Sequence, residues 1–175
     1  RKHLLEYDDV MNQQREIIYN RRNFALHEEE VSSETLSVLN DFVGQLVDFH
    51  CAPKSYNDWN IEALSAELIM VFSLDIKDEL TNIKSKSELS IKIKDSANKL
   101  LSNKENVLGV ELFNQFQRFI ILKTIDEKWR EHLHGMDQLR EGIGLRAYGQ
   151  KNPLIEYKQE GFKMFSDMLY VTNKE

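Results

Sequence analysis

The run Gly142 to Pro153 reads Gly-Ile-Gly-Leu-Arg-Ala-Tyr-Gly-Gln-Lys-Asn-Pro and comes nearest to a chemical motif. Gly144 and Gly149 have the spacing of a phosphate-cradling loop, G-x-x-x-x-G-K-[ST]. Gln150 and Lys151 follow, so the lysine comes one place late and the hydroxyl that would hold magnesium is missing. A phosphate loop also follows a strand, whereas a helical pattern runs into this one, so these residues make no nucleotide site. His132 and His134 are two apart, which on a helix points them about 200° away from each other, and they cannot share a metal. Asp8 and Asp9 are adjacent and diverge in the same way, so they are not an acid/base pair. Cys51 has no second cysteine for a disulfide or a zinc site and reads as a small buried residue. No metal site and no catalytic residue emerges.

The bulk composition agrees. The 175 residues are 41% hydrophobic and 30% charged with only two prolines, the composition of a mostly helical chain. A net charge of -6 argues against a dedicated nucleic-acid binder, because phosphate contacts need a basic face. The charge is uneven. Residues 28–67 carry nine acids against Lys54 alone, whereas Arg140, Arg146 and Lys151 face only Glu141 between residues 140 and 155. One acidic module and one basic tip are expected.

The elements that position these residues follow from periodicity. His3, Val10, Ile17 and Phe24 recur every seven residues, with Leu4, Met11, Ile18 and Ala25 beside them. Two adjacent apolar rows predict one long helix over residues 1–30, a strut of about 45 Å. The pattern is already running at His3 without a cap, so a piece of a longer protein is expected. Ser32 or Ser33 is expected to cap a second helix that runs to about His50. Pro53 marks a loop, and Asn60 caps a helix carrying Leu64, Leu68, Val71 and Phe72. Residues 73–86 read as irregular and polar, 87–101 as a lysine-rich helix, and 103–109 as a weak break. A second long helix from Leu112 to about Gly142 follows, and Asn152 with Pro153 starts a return helix.

Two helices folded back through residues 142–153 make a hairpin with a basic, aromatic tip. Gly142, Gly144 and Gly149 give that tip its latitude. Trp129, Leu133, Phe162 and Phe165, with Phe116 and Phe119, have the spacing of a core between the hairpin helices. Tyr148 lies among the glycines and admits two readings. A rigid ring with a hydroxyl suits gripping varied peptides, or the ring folds onto the hairpin neck.

Arg1-Lys-His-Leu-Leu-Glu-Tyr-Asp-Asp-Val-Met-Asn12 resembles the start of the helical scaffold domain of the SecA family, ATP-driven motors of bacterial protein export. Lys128 to Leu133, Met136-Asp137 and Leu139-Arg140 resemble the first helix of that family's two-helix finger. Leu145 to Pro153 resembles the fingertip, and Glu156-Tyr157-Lys158 with Phe162, Met164 and Phe165 the return helix. The resemblance implies an all-α chain of three parts: a scaffold helix over 1–30, a helical wing domain over 31–104, and a two-helix finger over 105–175.

It further implies a role in moving unfolded preproteins through the SecY channel and in restraining ATP turnover. The nucleotide site, with its ATP and magnesium, would lie in motor domains outside these residues, and this segment would hold no cofactor and perform no catalysis itself. Tyr148 would contact the preprotein, with Leu145, Arg146 and Lys151 beside it at the channel mouth. The implied partners are the SecY complex, preproteins, the motor domains of the same polypeptide and, for the full-length protein, a second copy. The implied location is the cytoplasm and the cytoplasmic face of the inner membrane. The rival expectation is a free-standing helical adaptor that pairs with a partner coiled coil.

Overall fold

The computed structural model describes residues 2–27, 31–53, 55–146 and 152–175, and of residues 2–4 and 144–146 the backbone alone. Every regular element among them is helical, as the composition predicts: α1 (Lys2–Leu26), α2 (Val31–His50), α3 (Ile61–Phe72), the single turn α4 (Lys77–Leu80), α5 (Lys86–Leu108), α6 (Val110–Arg146) and α7 (Pro153–Lys174). A short 3-10 turn, Tyr56–Asp58, lies in the loop after Pro53. The chain divides into two compact units. One comprises residues 1–31 and 118–172, the other residues 32–117 and 173–175, so the division falls inside α6.

In the second unit, α2 buries Phe42, Val43, Leu46 and Val47 at helical spacing, and Cys51 is fully buried at its end. Leu64 and Leu68 of α3, Leu80 of α4, and Leu89, Ile93 and Ala97 of α5 complete this core. Asn60 caps α3 as expected, its side-chain oxygen accepting from the Ala63 amide at 3.0 Å. Glu67 on α3 accepts from Lys174 at 2.6 Å and pairs with His50 at 2.9 Å.

Three boundaries differ from the periodicity. Helix α2 starts at Val31, so Ser32 and Ser33 are helical and neither is its cap; Val31 itself is fully buried. Residues 73–86 are not simply polar and irregular, because Leu74, Ile76 and Leu80 are buried anchors and α4 forms among them. Helix α5 does not stop near Leu101 but continues to Leu108. Its polar residues 102–106 are tolerated in a helix, and the break is the single Gly109, whose φ of 80° is open to glycine.

In the first unit, α1, α7 and the part of α6 after Gln117 pack together. Ile18, Ile125, Trp129, Phe165 and Met168 form one buried cluster, with Met11, Ile121, Leu133 and Leu169 against it. Met136, Leu139, Ile143 and Tyr157 form another, flanked by Tyr7, Val10 and Met164. The two apolar rows expected on α1 face this core unequally: Ile18 and Ala25 are buried, whereas of the other row Val10 packs against the core but Ile17 and Phe24 are half exposed. Among the described residues no helix is long and apolar enough to cross a membrane.

Candidate functional site: the finger hairpin and its brace

Helices α6 and α7 are the two sides of the predicted hairpin. On α6 the inward positions are Ile125, Trp129, His132, Met136, Leu139 and Ile143, spaced alternately four and three. That is the seam pattern of helices in coiled-coil-like contact. On α7 the inward positions are Tyr157, Gly161, Phe165 and Met168. Asn152 caps α7 through its side-chain oxygen, which accepts from the Leu154 amide at 3.0 Å, and Pro153 takes the first helical position.

The hairpin helices approach closely where glycine permits it. Met164 of α7 covers Gly135 of α6, and Met136 of α6 covers Gly161 of α7, each methyl carbon within 2.8 Å of where a Cβ would stand. The Tyr157 ring packs edge-on to Tyr7 of α1 with centroids 4.7 Å apart. Burial pushes the Tyr157 phenol pKa up, opposed by the nearby Arg140 charge.

Of the residues expected in the finger core, Trp129 and Phe165 are buried in the same cluster and Leu133 packs against it. Phe162 is not core, at 73% exposed. One residue after Gly161, it is turned about 100° away from the inward face, onto a groove lined also by Glu6, Asp9, Ile17 and Lys158. Phe116 and Phe119 are likewise outward, at 54% and 61% exposed, because α6 turns Phe113, Gln117 and then Ile125 inward.

The expected tip residues divide. Gly142 and Gly144 lie within α6, which ends at Arg146 rather than near Gly142. Leu139 and Ile143 are both buried, and their packing outweighs the cost of about 1 kcal/mol for each helical glycine. Of Leu145 and Arg146 the structure describes the helical backbone. Tyr148, Gly149 and Lys151 lie outside the described residues.

The brace from α1 was not legible as such. Gln14 is buried and bridges all three helices. Its amide nitrogen donates to the Gly161 carbonyl at 3.2 Å, which turns its oxygen toward His132 Nε2 at 2.7 Å. The oxygen can only accept, so Nε2 of His132 carries the proton. The imidazole is stacked beside Trp129 and Phe165, centroids 5.5 Å from each, and burial holds its pKa below the ordinary value. Toward the ends, Arg140 donates to Asp8 at 3.2 Å and Arg22 to Asp126 at 3.0 Å. The signal for Gln14 was its place in the row Met11, Gln14, Ile18, where it is a polar residue in an apolar series.

The other candidates for chemistry stay apart. His134 is exposed and meets Gln138 at 3.0 Å. No group of three potential metal-ligating side chains occurs among the described residues. Burial raises the Cys51 thiol pKa, with Lys86 opposing it, which leaves the thiol unreactive at neutral pH.

The model of the SecA wing and scaffold domain matches residues 1–175. Protein translocase subunit SecA of Chloroherpeton thalassium is 44% identical over 171 residues, covering 97% of this chain and 16% of that protein. The same subunit of Heliobacterium modesticaldum is 38% identical over 176 residues, covering 100% of the chain and 21% of the relative. That of Syntrophus aciditrophicus is 40% identical over 171 residues, covering 97% and 20%. The chain thus spans from a sixth to a fifth of the length of these relatives. Matched along its whole length by the wing and scaffold model, and 38–44% identical to these relatives over nearly all of it, the chain belongs to the SecA family of protein translocase subunits.

Proposed function

We infer that this chain is the lever of a protein-export motor. Helix α1 is the scaffold strut, α6 and α7 carry the finger, and the α2–α5 region is the wing. ATP and magnesium act in motor domains outside these residues, and the lever passes their movement to a preprotein at the mouth of the SecY channel. The chain itself holds no nucleotide and restrains hydrolysis by the resting motor. Tyr148 grips the preprotein, and Arg146 and Lys151 face carbonyl-rich or anionic surfaces around the channel. The half-exposed Ile17 and Phe24 of α1 are available to the motor domains of the same polypeptide. The motor works in the cytoplasm and at the cytoplasmic face of the membrane.

The observation that carries this reading is the finger seam. Trp129, Leu133 and Phe165 hold α6 and α7 together on α1, and both helices lead toward residues 147–151. A hairpin packed on a third helix moves as a unit, which a lever requires. The sequence resemblance at the tip supplies the rest.

The test is Tyr148→Ala in the full-length protein. Movement of an unfolded preprotein into channel-bearing vesicles is expected to slow at least fivefold, with nucleotide binding unchanged. Translocation at the wild-type rate would remove the grip assignment. Residues 1–175 alone are expected to hydrolyse no ATP, and robust turnover would overturn the placement of the nucleotide site.

A further inference from the structure

The inward rows of α1 and α6 are both heptad-like and nearly all apolar. Tyr7, Met11, Ile18 and Ala25 line one, and Ile125, Trp129, Met136, Leu139 and Ile143 the other. Such rows are self-similar. A slip of one heptad, about 10 Å along the axis, sets apolar residues against apolar residues again. Hydrophobic burial by itself therefore specifies the antiparallel register of α1 on α6 weakly.

Three polar contacts break that degeneracy. Asp8 and Arg22 are two heptads apart on α1, and their partners Arg140 and Asp126 are two heptads apart on α6. The order of charge is reversed between the helices, so both pairs form in one antiparallel alignment. Midway between them, Gln14 meets His132 in the buried seam. A one-heptad slip one way would set Gln14 against Ile125, Asp8 against Leu133 and Arg22 against Phe119. The other way would set Gln14 against Leu139 and Arg22 against Leu133. Either slip strands a desolvated amide without a partner, which is the severe penalty, and separates charges that are only partly buried, which is a mild one.

We propose that Gln14, paired with His132 and the Gly161 carbonyl, is a positioning residue that locks the axial register of α1 on the finger helices. The flanking pairs Asp8–Arg140 and Arg22–Asp126 select the same alignment from the surface. Register matters because axial movement of α1 reaches the fingertip only if the strut cannot slide past the finger. That consequence rests on the lever reading above, whereas the lock itself does not.

The experiment uses full-length protein freed of native cysteines, with Glu16→Cys on α1 and Lys123→Cys on α6 carrying nitroxide labels. Both positions are exposed and are offset along the axis, so a slip changes their separation. One narrow distance distribution is expected with Gln14 intact. Gln14→Leu is expected to add a second population and to lower the preprotein moved per ATP hydrolysed at least threefold. Gln14→Leu with His132→Leu removes both polar partners and is expected to regain most of the thermal stability lost in Gln14→Leu, while keeping the second population and the low coupling. A contact that merely stabilised the fold would recover coupling together with stability. An unchanged narrow distribution in both variants would overturn the lock. A second population with undiminished coupling would overturn the positioning role. Wild-type protein unable to move preprotein would instead count against the lever reading, and the distance distributions would still decide the lock.

Discussion

A Cβ placed on Gly161 would stand 2.8 Å from the methyl carbon of Met136, and the sulfur is 3.4 Å away. Met136 is fully buried, so its end has nowhere free to swing. The reciprocal contact on the other helix, Gly135 with Met164, differs in one respect: Met164 is only partly buried. Alanine gains about 1 kcal/mol over glycine inside a helix, against an overpacking cost of about 1–3 kcal/mol where neighbours cannot yield. Gly135→Ala is therefore expected to raise the unfolding free energy by up to about 1 kcal/mol, read as a higher urea midpoint. Gly161→Ala is expected to lower it or leave it unchanged, because the strain cancels the gain.

Trp129 and Phe162 were both expected in the finger core, and the structure separates them. Trp129→Ala leaves a large hole beside Ile18, Ile125 and Phe165 and is expected to cost about 3–5 kcal/mol. Phe162→Ala removes an exposed ring and is expected to stay within about 0.5 kcal/mol. Denaturant unfolding of the two variants beside the parent chain measures the difference.

His132 makes stability depend on pH near neutrality. Its folded pKa lies below the ordinary 6.5 because burial disfavours the imidazolium. As pH falls, the unfolded chain takes up this proton before the folded one. The contribution is fully present above about pH 6.5 and is lost as pH drops through the folded value. Unfolding free energy between pH 8 and pH 5.5 is expected to fall less in His132→Leu than in the parent. Equal slopes would show that another group carries the dependence.

A second, more acidic window belongs to Glu67. Burial alone would push its carboxyl up, but hydrogen bonds from Lys174 and His50, with their charges, outweigh burial and hold its pKa below the ordinary 4.5. The unfolded carboxylate takes its proton first. This stability is present above about pH 4.5 and is lost as pH falls through the lower folded value. The Glu67 carboxylate is 18% exposed but Lys174 is 35% exposed, so screening limits the effect. Glu67→Gln is expected to cost about 1 kcal/mol at pH 7, and the cost is expected to shrink as pH falls below about 4.5, as read from chemical denaturation across that range.

The local signals were legible residue by residue. Asn60 and Asn152-Pro153 announced helix starts because a side-chain oxygen and a missing N–H act within one turn. The rows through Ile18 and Ala25 and through Trp129 and Phe165 announced buried faces because helical spacing is a property of the chain alone. The family, too, was readable from Lys128 to Leu133 and from Leu145 to Pro153. The tertiary structure alone decided how far each apolar row on α1 turns inward, since both satisfy the period and only packing leaves Ile17 and Phe24 half exposed while Val10 of the same row meets the core. It carried α6 through Gly142 and Gly144, where burial of Ile143 overrides glycine's weak propensity. It turned Phe162 outward, since Gly161 is the residue small enough to meet Met136. It also joined Gln14 to His132 across a separation of 118 residues. A hydrogen bond between distant helices depends on their register, and no local pattern in either helix contains that quantity.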